Sequence, residues 1–384
     1  SYSLSSAAYV VYGNSTGTPV AITSGNIDVN SGFKITSPTP TDYFGITVSG
    51  AGDVNGDGFA DLIVGSGGAD KSTFVVYGRS RSNTGLDLSG GTIAASDGFE
   101  VVEGGTGLTL GVRVSGAGDV NGDGFADLIV SSVGSAYVIY GNSAGATAYV
   151  ASASSIAAGS GFKINCVKAI AFGGKVSSAG DVNGDGLADV IVGAAVGNSA
   201  YVIYGNTRST TVTIDSAGAI ASTDGFVISG LSAGDFGYNV TAAGDINGDG
   251  LSDLLIGSNS STNGGFAYVI YGNASGSTVN LTSGFSATNG FKILGTTGNG
   301  WFSYGISSAG DINGDGLNDL IIGYYSASNG AYNILLGGTQ WITSAINLTG
   351  TTAAEAVLGT SGDDTLTGGG GVDRFFAGKG NDTI

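Results

Sequence analysis

The sequence has no histidine, a single cysteine and only three prolines. Without histidine, the chain cannot build Ser/His/Asp or Cys/His nucleophilic centres, and it lacks the most common general base. The usual zinc sites need histidine or several cysteines, so they are excluded as well. Cys166 has no second thiol with which to form an internal disulfide, and we expect it to be a small buried apolar residue.

Positive charge is also scarce: 12 Lys and Arg residues stand against 30 Asp and Glu, which gives a formal net charge of -18. The basic residues are scattered singly, so binding to nucleic acid or to anionic lipid is disfavoured. No apolar run reaches the roughly 18 residues of a transmembrane helix, and none is predicted. The hydrophobic content of 41 % and the mean hydropathy of +0.26 are ample for a buried core, so disorder is not expected.

Glycine is abundant, with 73 residues, and it recurs within an internal repeat. The segment DVNGDG or DINGDG occurs five times, and successive copies are 62 to 66 residues apart. Two further motifs keep the same interval. One is YVVYG at 9–13 and its five later copies, of which YNILLG at 332–337 is the most altered, and the other is a Gly-Phe pair that first occurs at Gly32. A fixed period of this kind predicts a repeat architecture.

Each repeat contains four segments typical of short strands. In the first complete unit these are the segment before the DVNGDG loop, then DLIVG, FVVYG and GFEVVEG. They are rich in β-branched and aromatic residues and are bounded by Gly, Ser or Asn. Large apolar side chains at successive positions require cover on both faces of the sheet, which radial stacking of sheets provides. The sequence therefore predicts an all-β fold, a β-propeller of four-stranded antiparallel blades.

The blade count depends on the two ends of the chain. Residues 1–40 contain only third-strand and fourth-strand motifs and are predicted to be half a blade, followed by five repeats of about 64 residues up to residue 345. Six blades, one of them shared between the chain ends, are expected if the tail of residues 346–384 supplies the missing inner strands. Seven blades follow if the tail, or residues beyond it, build more.

The repeated loop reads D-x-N-G-D-G-[F/L]-x-D and is followed by an aliphatic strand. If the first Asp is position 1, side-chain oxygens stand at positions 1, 3, 5 and 9, and the main-chain carbonyl of position 7 completes the set. Oxygen ligands in this number favour Ca²⁺ over Mg²⁺. Gly at positions 4 and 6 allows the sharp turn. The predicted calcium ligands are Asp53, Asn55, Asp57, Phe59, Asp61, Asp119, Asn121, Asp123, Phe125, Asp127, Asp181, Asn183, Asp185, Leu187, Asp189, Asp245, Asn247, Asp249, Leu251, Asp253, Asp311, Asn313, Asp315, Leu317 and Asp319.

Two other interpretations of the loop are less favourable. An EF-hand requires a bidentate Glu at position 12 and flanking helices, whereas this chain has Val or Ile at that position and strands on either side. Asn, Asp and Gly also form simple turns, but five copies with identical ligand spacing disfavour a turn alone. Three carboxylates so close together repel one another without a cation, so the loops are predicted to need their metal.

These residues resemble the FG-GAP repeat, the blade unit of the integrin α-subunit head. The Phe-Gly pair of that family falls on Phe44-Gly45, Phe172-Gly173 and Phe236-Gly237. The second repeat has Leu110-Gly111 and the fifth has Tyr304-Gly305, and the GAP element is reduced to Gly193-Ala194. The resemblance covers about residues 1–340 and implies a calcium-bound propeller, but it does not transfer the partner of an integrin.

The tail resembles a second family. GTSGDDTLT, GGGGVDRFF and AGKGNDTI match the nonapeptide G-G-x-G-x-D-x-U-x of RTX proteins, and the acidic position falls on Asp364, Asp373 and Asp382, three further predicted calcium ligands. Such turns stack into a parallel β-roll that binds Ca²⁺ between turns. The tail is therefore expected to form a short β-roll or to complete a blade. RTX similarity implies a bacterial protein that is secreted by a type I route and folds outside the cell.

Taken together, these features favour an extracellular or cell-surface structural, adhesion or protein-interaction module whose partner is a surface protein, a glycan or another copy of itself. The alternative is a calcium-dependent carbohydrate-binding propeller in which Trp301 or Trp341 forms a sugar platform. A secreted hydrolase or lyase is less favoured because no catalytic pair stands out beyond the metal loops, and we expect no enzyme.

Overall fold

In the computed structural model, the part of the chain that is described folds into β-strands and one short 3-10 helix, Ala195–Gly197. The structure describes residues 6–13, 19–23, 25–37, 43–67, 73–80, 85–103, 110–132, 134–143, 149–151, 155–157, 159–168, 172–208, 210–230, 236–258, 265–282, 285–294, 300–314, 316–326, 331–335, 347–349, 356–358, 365–367, 374–376 and 383. Within these ranges, no helix has the length and hydropathy of a membrane span.

The strands are numbered in chain order. Strands β1 to β9 are Ala7–Val11, Ile22–Thr23, Asn26–Ile27, Gly32–Thr36, Thr47–Gly52, Asp61–Gly65, Thr73–Val76, Leu86–Asp87 and Gly98–Glu103. Strands β10 to β20 are Val114–Gly118, Asp127–Ser132, Ser135–Ile139, Tyr149–Ala151, Ser155–Ile156, Gly161–Cys166, Lys175–Gly180, Asp189–Ala194, Ser199–Ile203, Val212–Ile214 and Gly225–Ser229. Strands β21 to β32 are Phe236–Gly244, Asp253–Ser258, Phe266–Ile270, Val279–Asn280, Gly290–Leu294, Gly300–Gly310, Asp319–Ser326, Ala331–Leu335, Asn347–Thr349, Ala356–Leu358, Thr365–Thr367 and Arg374–Phe376.

Four blades have the predicted order of four antiparallel strands. They are β5-β6-β7-β9, β10-β11-β12-β15, β16-β17-β18-β20 and β21-β22-β23-β25. Blade five contains β26-β27-β28, and β1 pairs with β4 as the predicted half-blade. The strands β2 and β3 form a small separate pair. The all-β class and the blade unit are therefore confirmed.

The side chains of one strand serve two cores, because successive residues point to opposite faces of a sheet. In β11, Leu128 and Val130 belong to the apolar cluster shared with blade one, whereas Ile129 belongs to the cluster shared with blade three. All three are 0 % exposed. Burial of each such side chain stabilises the fold by about 1.5–3 kcal/mol, so the blades depend on their neighbours.

The first strands of successive blades contact one another: β5 contacts β10, which contacts β16, followed by β21 and β26. They form the inner edge of the blade array, as a radial arrangement requires. The ring is not closed in this structure. The alternatives of six and seven blades therefore stay predictions.

One pairing was not predicted from the sequence. After the third strand, repeats one to four each send a short strand back to the preceding blade, where it pairs in parallel with the fourth strand. In this way β8 extends the half-blade at β4, β13 extends blade one at β9, β19 extends blade two at β15, and β24 extends blade three at β20. Each affected sheet thus contains a segment of the following repeat.

The tail forms parallel pairs. In one pair, β29 lies beside β31 with Asn347 opposite Thr365, and in the other β30 lies beside β32 with Ala356 opposite Arg374. Both partners are two nonapeptides apart, which is the register of a β-roll. The described tail strands thus pair as a roll and not as part of a blade. The predicted ligands Asp364, Asp373 and Asp382 lie outside the described residues.

Cys166 differs from the expectation of a buried residue. It ends β15 and is only half-buried, with part of its side chain packed against the apolar cluster between blades two and three. Its thiol donates to the carbonyl oxygen of Lys168 at 3.2 Å, and partial burial raises the pKa of the thiol.

Candidate metal centre

Each D-x-N-G-D-G loop joins the first strand of its blade to the second. The first strand bulges just before the loop: in blade one, Gly50 faces Leu62, and Gly52 then faces Asp61, so Ala51 is the extra residue. The same irregularity precedes all five loops. A bulge of this kind redirects the chain at the end of a strand. It places the first Asp of every loop in the same position relative to its sheet.

The loop is curled around its first carboxylate. In the second loop, Asp119 Oδ1 accepts the N–H groups of Gly122 at 2.7 Å and Asp123 at 3.1 Å, and its Oδ2 accepts that of Gly124 at 2.9 Å. Asn121 Nδ2 donates to Asp123 Oδ2 at 2.8 Å. The first, third and fourth loops repeat these bonds. The oxygen-bearing side chains at positions 1, 3 and 5 are therefore brought together.

The glycines at positions 4 and 6 adopt the conformation that was predicted for them. Gly122 has φ of 77° and Gly124 has φ of 88°, and the equivalent glycines of the other loops lie between 76° and 89°. L-residues with a side chain rarely adopt this left-handed region. These two positions let the loop close around Asp119.

The Asp at position 9 is buried and connects the loop to the third strand. Asp127 is 0 % exposed, and its Oδ2 accepts the N–H of Val120 at 2.8 Å while its Oδ1 accepts that of Gly141 at 2.8 Å. Asp61, Asp189 and Asp253 make the same two bonds. This link between the loop and the third strand of the same blade was not predicted, because position 9 was considered only as a ligand.

The pKa of Asp127, Asp189 and Asp253 is raised to about 7, mainly by burial and to a smaller extent by the carboxylates at positions 5 and 1. The backbone N–H bonds act in the opposite direction but are too weak to compensate. The pKa of Asp61 is raised for the same reasons. These loops therefore hold more negative charge than their own hydrogen bonds balance, which is the situation that a bound cation relieves.

The donor set fits calcium in its chemistry. Every candidate ligand at positions 1, 3, 5, 7 and 9 offers an oxygen, and no nitrogen or sulfur ligand is among them. Among the described residues, no three carboxylate, thiol or imidazole groups form a metal cluster by themselves, so the Asn side chain and a main-chain carbonyl have to contribute. In the fifth loop, Asp311, Asn313, Leu317 and Asp319 are described, and Asp315 lies outside the described residues.

The loops are also hydrogen-bonded in series, which sequence reasoning missed. In loops two to five, the N–H at position 8 donates to the carbonyl oxygen at position 1 of the preceding loop. The four bonds are Ala126 to Asp53 at 2.9 Å, Ala188 to Asp119 at 2.9 Å, Ser252 to Asp181 at 2.8 Å and Asn318 to Asp245 at 3.1 Å. Each of the first four candidate centres is thus supported by the blade that follows it.

The residue at position 7 was predicted to supply its main-chain carbonyl, and its side chain also packs on the preceding loop. A Cβ placed on Gly56 would lie 2.5 Å from the ring of Phe125, and one on Gly122 would lie 2.9 Å from Leu187. Leu251 and Leu317 cover the glycines of the third and fourth loops in the same way. The preference for Phe or Leu at position 7 could have indicated this packing from the sequence, since a residue that supplied only its carbonyl would not need a large apolar side chain.

The sugar-platform alternative stays a prediction. Trp301 lies in β26 opposite Tyr325 of β27, and Trp341 lies outside the described residues.

Comparison with known proteins identifies two repeat families. The FG-GAP repeat matches residues 44–85, 172–215, 236–270 and 303–335. The RTX calcium-binding nonapeptide repeat, in a model of four copies, matches residues 349–384. The second repeat, which has Leu110 in place of the family Phe, lies outside the matched ranges, yet its loop has the same hydrogen bonds as the others.

Curated relatives include integrin α subunits. The chain is 27 % identical over 202 residues to integrin alpha pat-2 of Caenorhabditis elegans, 34 % over 149 residues to integrin alpha-PS5 of Drosophila melanogaster, and 30 % over 177 residues to integrin alpha-4 of Xenopus laevis. These matches cover 48 %, 37 % and 42 % of the chain, but only 14 to 15 % of each relative. The chain therefore contains FG-GAP repeats, at the four matched segments, followed by an RTX calcium-binding nonapeptide segment.

Proposed function

We propose that the chain is an extracellular, calcium-stabilised β-propeller that acts as a cell-surface structural, adhesion or protein-interaction module. The observation that carries this proposal is the series of loops: in the first four, the side chains at positions 1, 3 and 5 come together, and each of these loops accepts a hydrogen bond from the next blade. A cation in such a loop neutralises carboxylates and also supports a contact between repeats. Calcium is abundant outside the cell, where it can keep such sites filled.

The residues at positions 1, 3, 5, 7 and 9 of each loop are the proposed calcium ligands, and Asp364, Asp373 and Asp382 of the tail are proposed as further ligands. We divide the chain into a propeller of residues 1–345 and a calcium-binding tail of residues 346–384. RTX similarity supports secretion from a bacterium by a type I route. FG-GAP and RTX families are generally non-enzymatic, which supports a role in binding.

Calcium removal tests the metal part of this proposal. Each site adds about 2.7 kcal/mol of stability when free calcium is a hundred times its Kd. We expect a melting temperature that is lower by many degrees in excess EDTA, recovery on adding calcium, and little recovery with magnesium. Asp123→Asn should weaken the response, whereas Asp28→Asn, a substitution in an exposed turn whose Oδ1 accepts the N–H of Asn30 at 2.9 Å, should leave it unchanged. An identical melt with and without calcium would rule the proposal out.

The adhesion part needs a separate measurement. Beads coated with the purified chain should bind to cell surfaces or to one another in calcium and detach in EDTA, whereas beads coated with an unrelated acidic protein should not bind. Because this assay does not depend on the melting temperature, a stable chain that binds nothing would refute adhesion while leaving the calcium sites intact.

A further inference from the structure

Blade one has an incompletely covered face, on the side of the half-blade. In blades two, three and four, a valine of the first strand packs against the second strand of the preceding blade, and Val114, Val176 and Val240 are only 6 to 7 % exposed. The equivalent residue of blade one, Val48, is 60 % exposed. The half-blade contributes β1 and β4 but has no first or second strand among the described residues, so nothing described there covers Val48.

The loop of blade one shows the same difference. Phe125 and Ala126 of blade two are partly buried against Gly56 and Gly52 of the loop before them. Their equivalents in blade one, Phe59 and Ala60, are both exposed, Phe59 by 46 %. These two residues have the side chains that a preceding loop would accept.

Strand β1 shows a third difference. The third strands β12, β18 and β23 are buried along their whole length, because a second strand pairs with their inner edge. Strand β1 lies at the end of its sheet, in the order β1-β4-β8, and its residues are half-buried or exposed. Its inner edge has no strand partner in the part of the chain that the structure describes.

We infer that Val48, Phe59, Ala60 and the inner edge of β1, here called the open face, bind a two-stranded β-hairpin of FG-GAP type. The argument is continuity with an existing interface, because the same contact joins every pair of consecutive blades from one to five. Such a partner adds its second strand to β1 in antiparallel pairing, as β6 adds to β7, and receives Phe59 over the glycine at its loop position 4. A second glycine, just before its loop, accepts Ala60.

Blade five does not have the form that the open face requires. Its fifth loop is uncovered, since a Cβ on Gly310 or Gly314 would meet nothing within 4 Å, so its hairpin carries the complementary glycines. However, β27 is already paired on its outer edge with β28, which is a third strand like β1. If the hairpin of blade five docked on blade one, its third strand β28 would clash with β1, which already occupies that position. The partner is therefore a hairpin whose second strand has a free edge.

Residues 110–132 of the chain itself provide a probe, because they form the first strand, loop and second strand of blade two. A fluorescent peptide of this sequence should bind the full chain in a 1:1 ratio in excess calcium, measured by fluorescence anisotropy, and should raise its melting temperature. Phe59→Asp should weaken binding about tenfold or more, since it removes a central aromatic contact. Val196→Asp is the matched control, because Val196 is 68 % exposed and lies in the 3-10 helix, away from the open face.

A covalent measurement does not depend on the free peptide folding by itself. The same hairpin is fused ahead of residue 1, with Gly118→Cys in the hairpin, Ala60→Cys in the chain and Cys166→Ser to remove the native thiol. Across the interface of blades two and three, a Cβ on Gly118 would lie 2.6 Å from the Cβ of Ala188, so a disulfide is expected to form here on oxidation. Fusion should also raise the melting temperature, and Phe59→Asp should abolish both effects.

Several results would overturn the inference. One is equal peptide binding by the Phe59→Asp and Val196→Asp chains. Another is a fused hairpin that neither forms the disulfide with the chain nor raises its melting temperature. The chain without the fused hairpin is tested as one triple variant, Ala60→Cys, Gly310→Cys and Cys166→Ser, which has one thiol on blade one and one on blade five. A disulfide within one chain would mean that blade five closes the ring, and one between chains would mean that a second copy covers the open face. Either result would contradict a separate two-stranded partner.

Discussion

Substitution of the buried Asp at position 9 separates its two functions, the binding of backbone N–H groups and the carrying of charge. Asp127→Asn keeps the shape of the side chain but replaces one accepting oxygen with an NH₂ group. One of the two N–H groups, that of Val120 or that of Gly141, then faces a donor in a fully buried position. The cost should depend strongly on whether calcium is present.

The size of the effect follows from these contacts. Loss of one charge-assisted hydrogen bond costs about 1.5–3 kcal/mol, and a stranded buried donor costs about 1–3 kcal/mol more. In calcium, the variant should therefore lose about 2.5–6 kcal/mol in the free energy of unfolding. In EDTA at pH 8, ionisation of Asp127 itself destabilises the fold, because its pKa is about 7 in the folded state against 3.8 otherwise. At 1.36 kcal/mol per pKa unit, removal of that charge regains about 4 kcal/mol in the free energy of unfolding. In EDTA the variant should therefore be about as stable as wild type.

Urea denaturation, followed by circular dichroism and tyrosine fluorescence in calcium and in EDTA, measures both values. Asp215→Asn is the control, since Asp215 also accepts two backbone N–H groups, those of Ala217 and Ala219, but in a turn outside the metal loops. Its effect should be small and equal under the two conditions. If Asp127→Asn lost the same stability with and without calcium, the position 9 carboxylate would not be coupled to a cation.

Three further predictions concern stability. In EDTA, the free energy of unfolding should fall as pH rises from about 4 to 7, because the folded chain binds up to three more protons than the unfolded chain, at Asp127, Asp189 and Asp253. The slope reaches at most about 4 kcal/mol per pH unit, and a melting temperature that rises over this range would contradict it. Gly193→Ala should cost about 1–3 kcal/mol or more, because its Cβ would meet the main-chain oxygen of Gly237 in the next blade, whereas Gly50→Ala, with open space, should be mild. Arg208→Lys should cost about 1–3 kcal/mol by losing the forked contacts of Arg208 with Asn206 at 2.7 Å and Asp224 at 3.0 Å. Arg79→Lys should cost less, because the hydrogen bond described for the Arg79 side chain goes to one partner, Asp97, at 2.9 Å.

Much of the blade could be predicted from the sequence, because its determinants are local. Short runs rich in β-branched and aromatic residues marked the four strands of each repeat, and Gly at loop positions 4 and 6 marked the sharp turn. These signals work within one repeat, since the residues that make a strand or a turn are close together in sequence. The same locality explains why the half-blade at β1 and β4 was recognised.

The contacts between repeats could not be predicted in the same way. The parallel strand β19 is only three residues long, and its partner β15 lies in a different blade, so no local pattern reports the pairing. The bond from Ala126 to Asp53 uses main-chain atoms, which any residue supplies. The function of Phe125 over Gly56 becomes visible only when two loops are placed side by side. Each of these features depends on the relative placement of blades, which periodicity alone does not specify.

The short parallel strands have a consequence for how the gene can be divided. A cut between two sequence repeats, for example just before Phe172, leaves blade two without β19, which the following repeat supplies. A fragment that ends at such a point exposes the edge of β15, and unpaired edges of this kind promote aggregation. A truncation that preserves the sheets should therefore extend past the third strand of the next repeat to include its returning segment. A blade in space therefore includes one short strand from the following repeat of the gene, and excision or shuffling of modules should follow the spatial boundary.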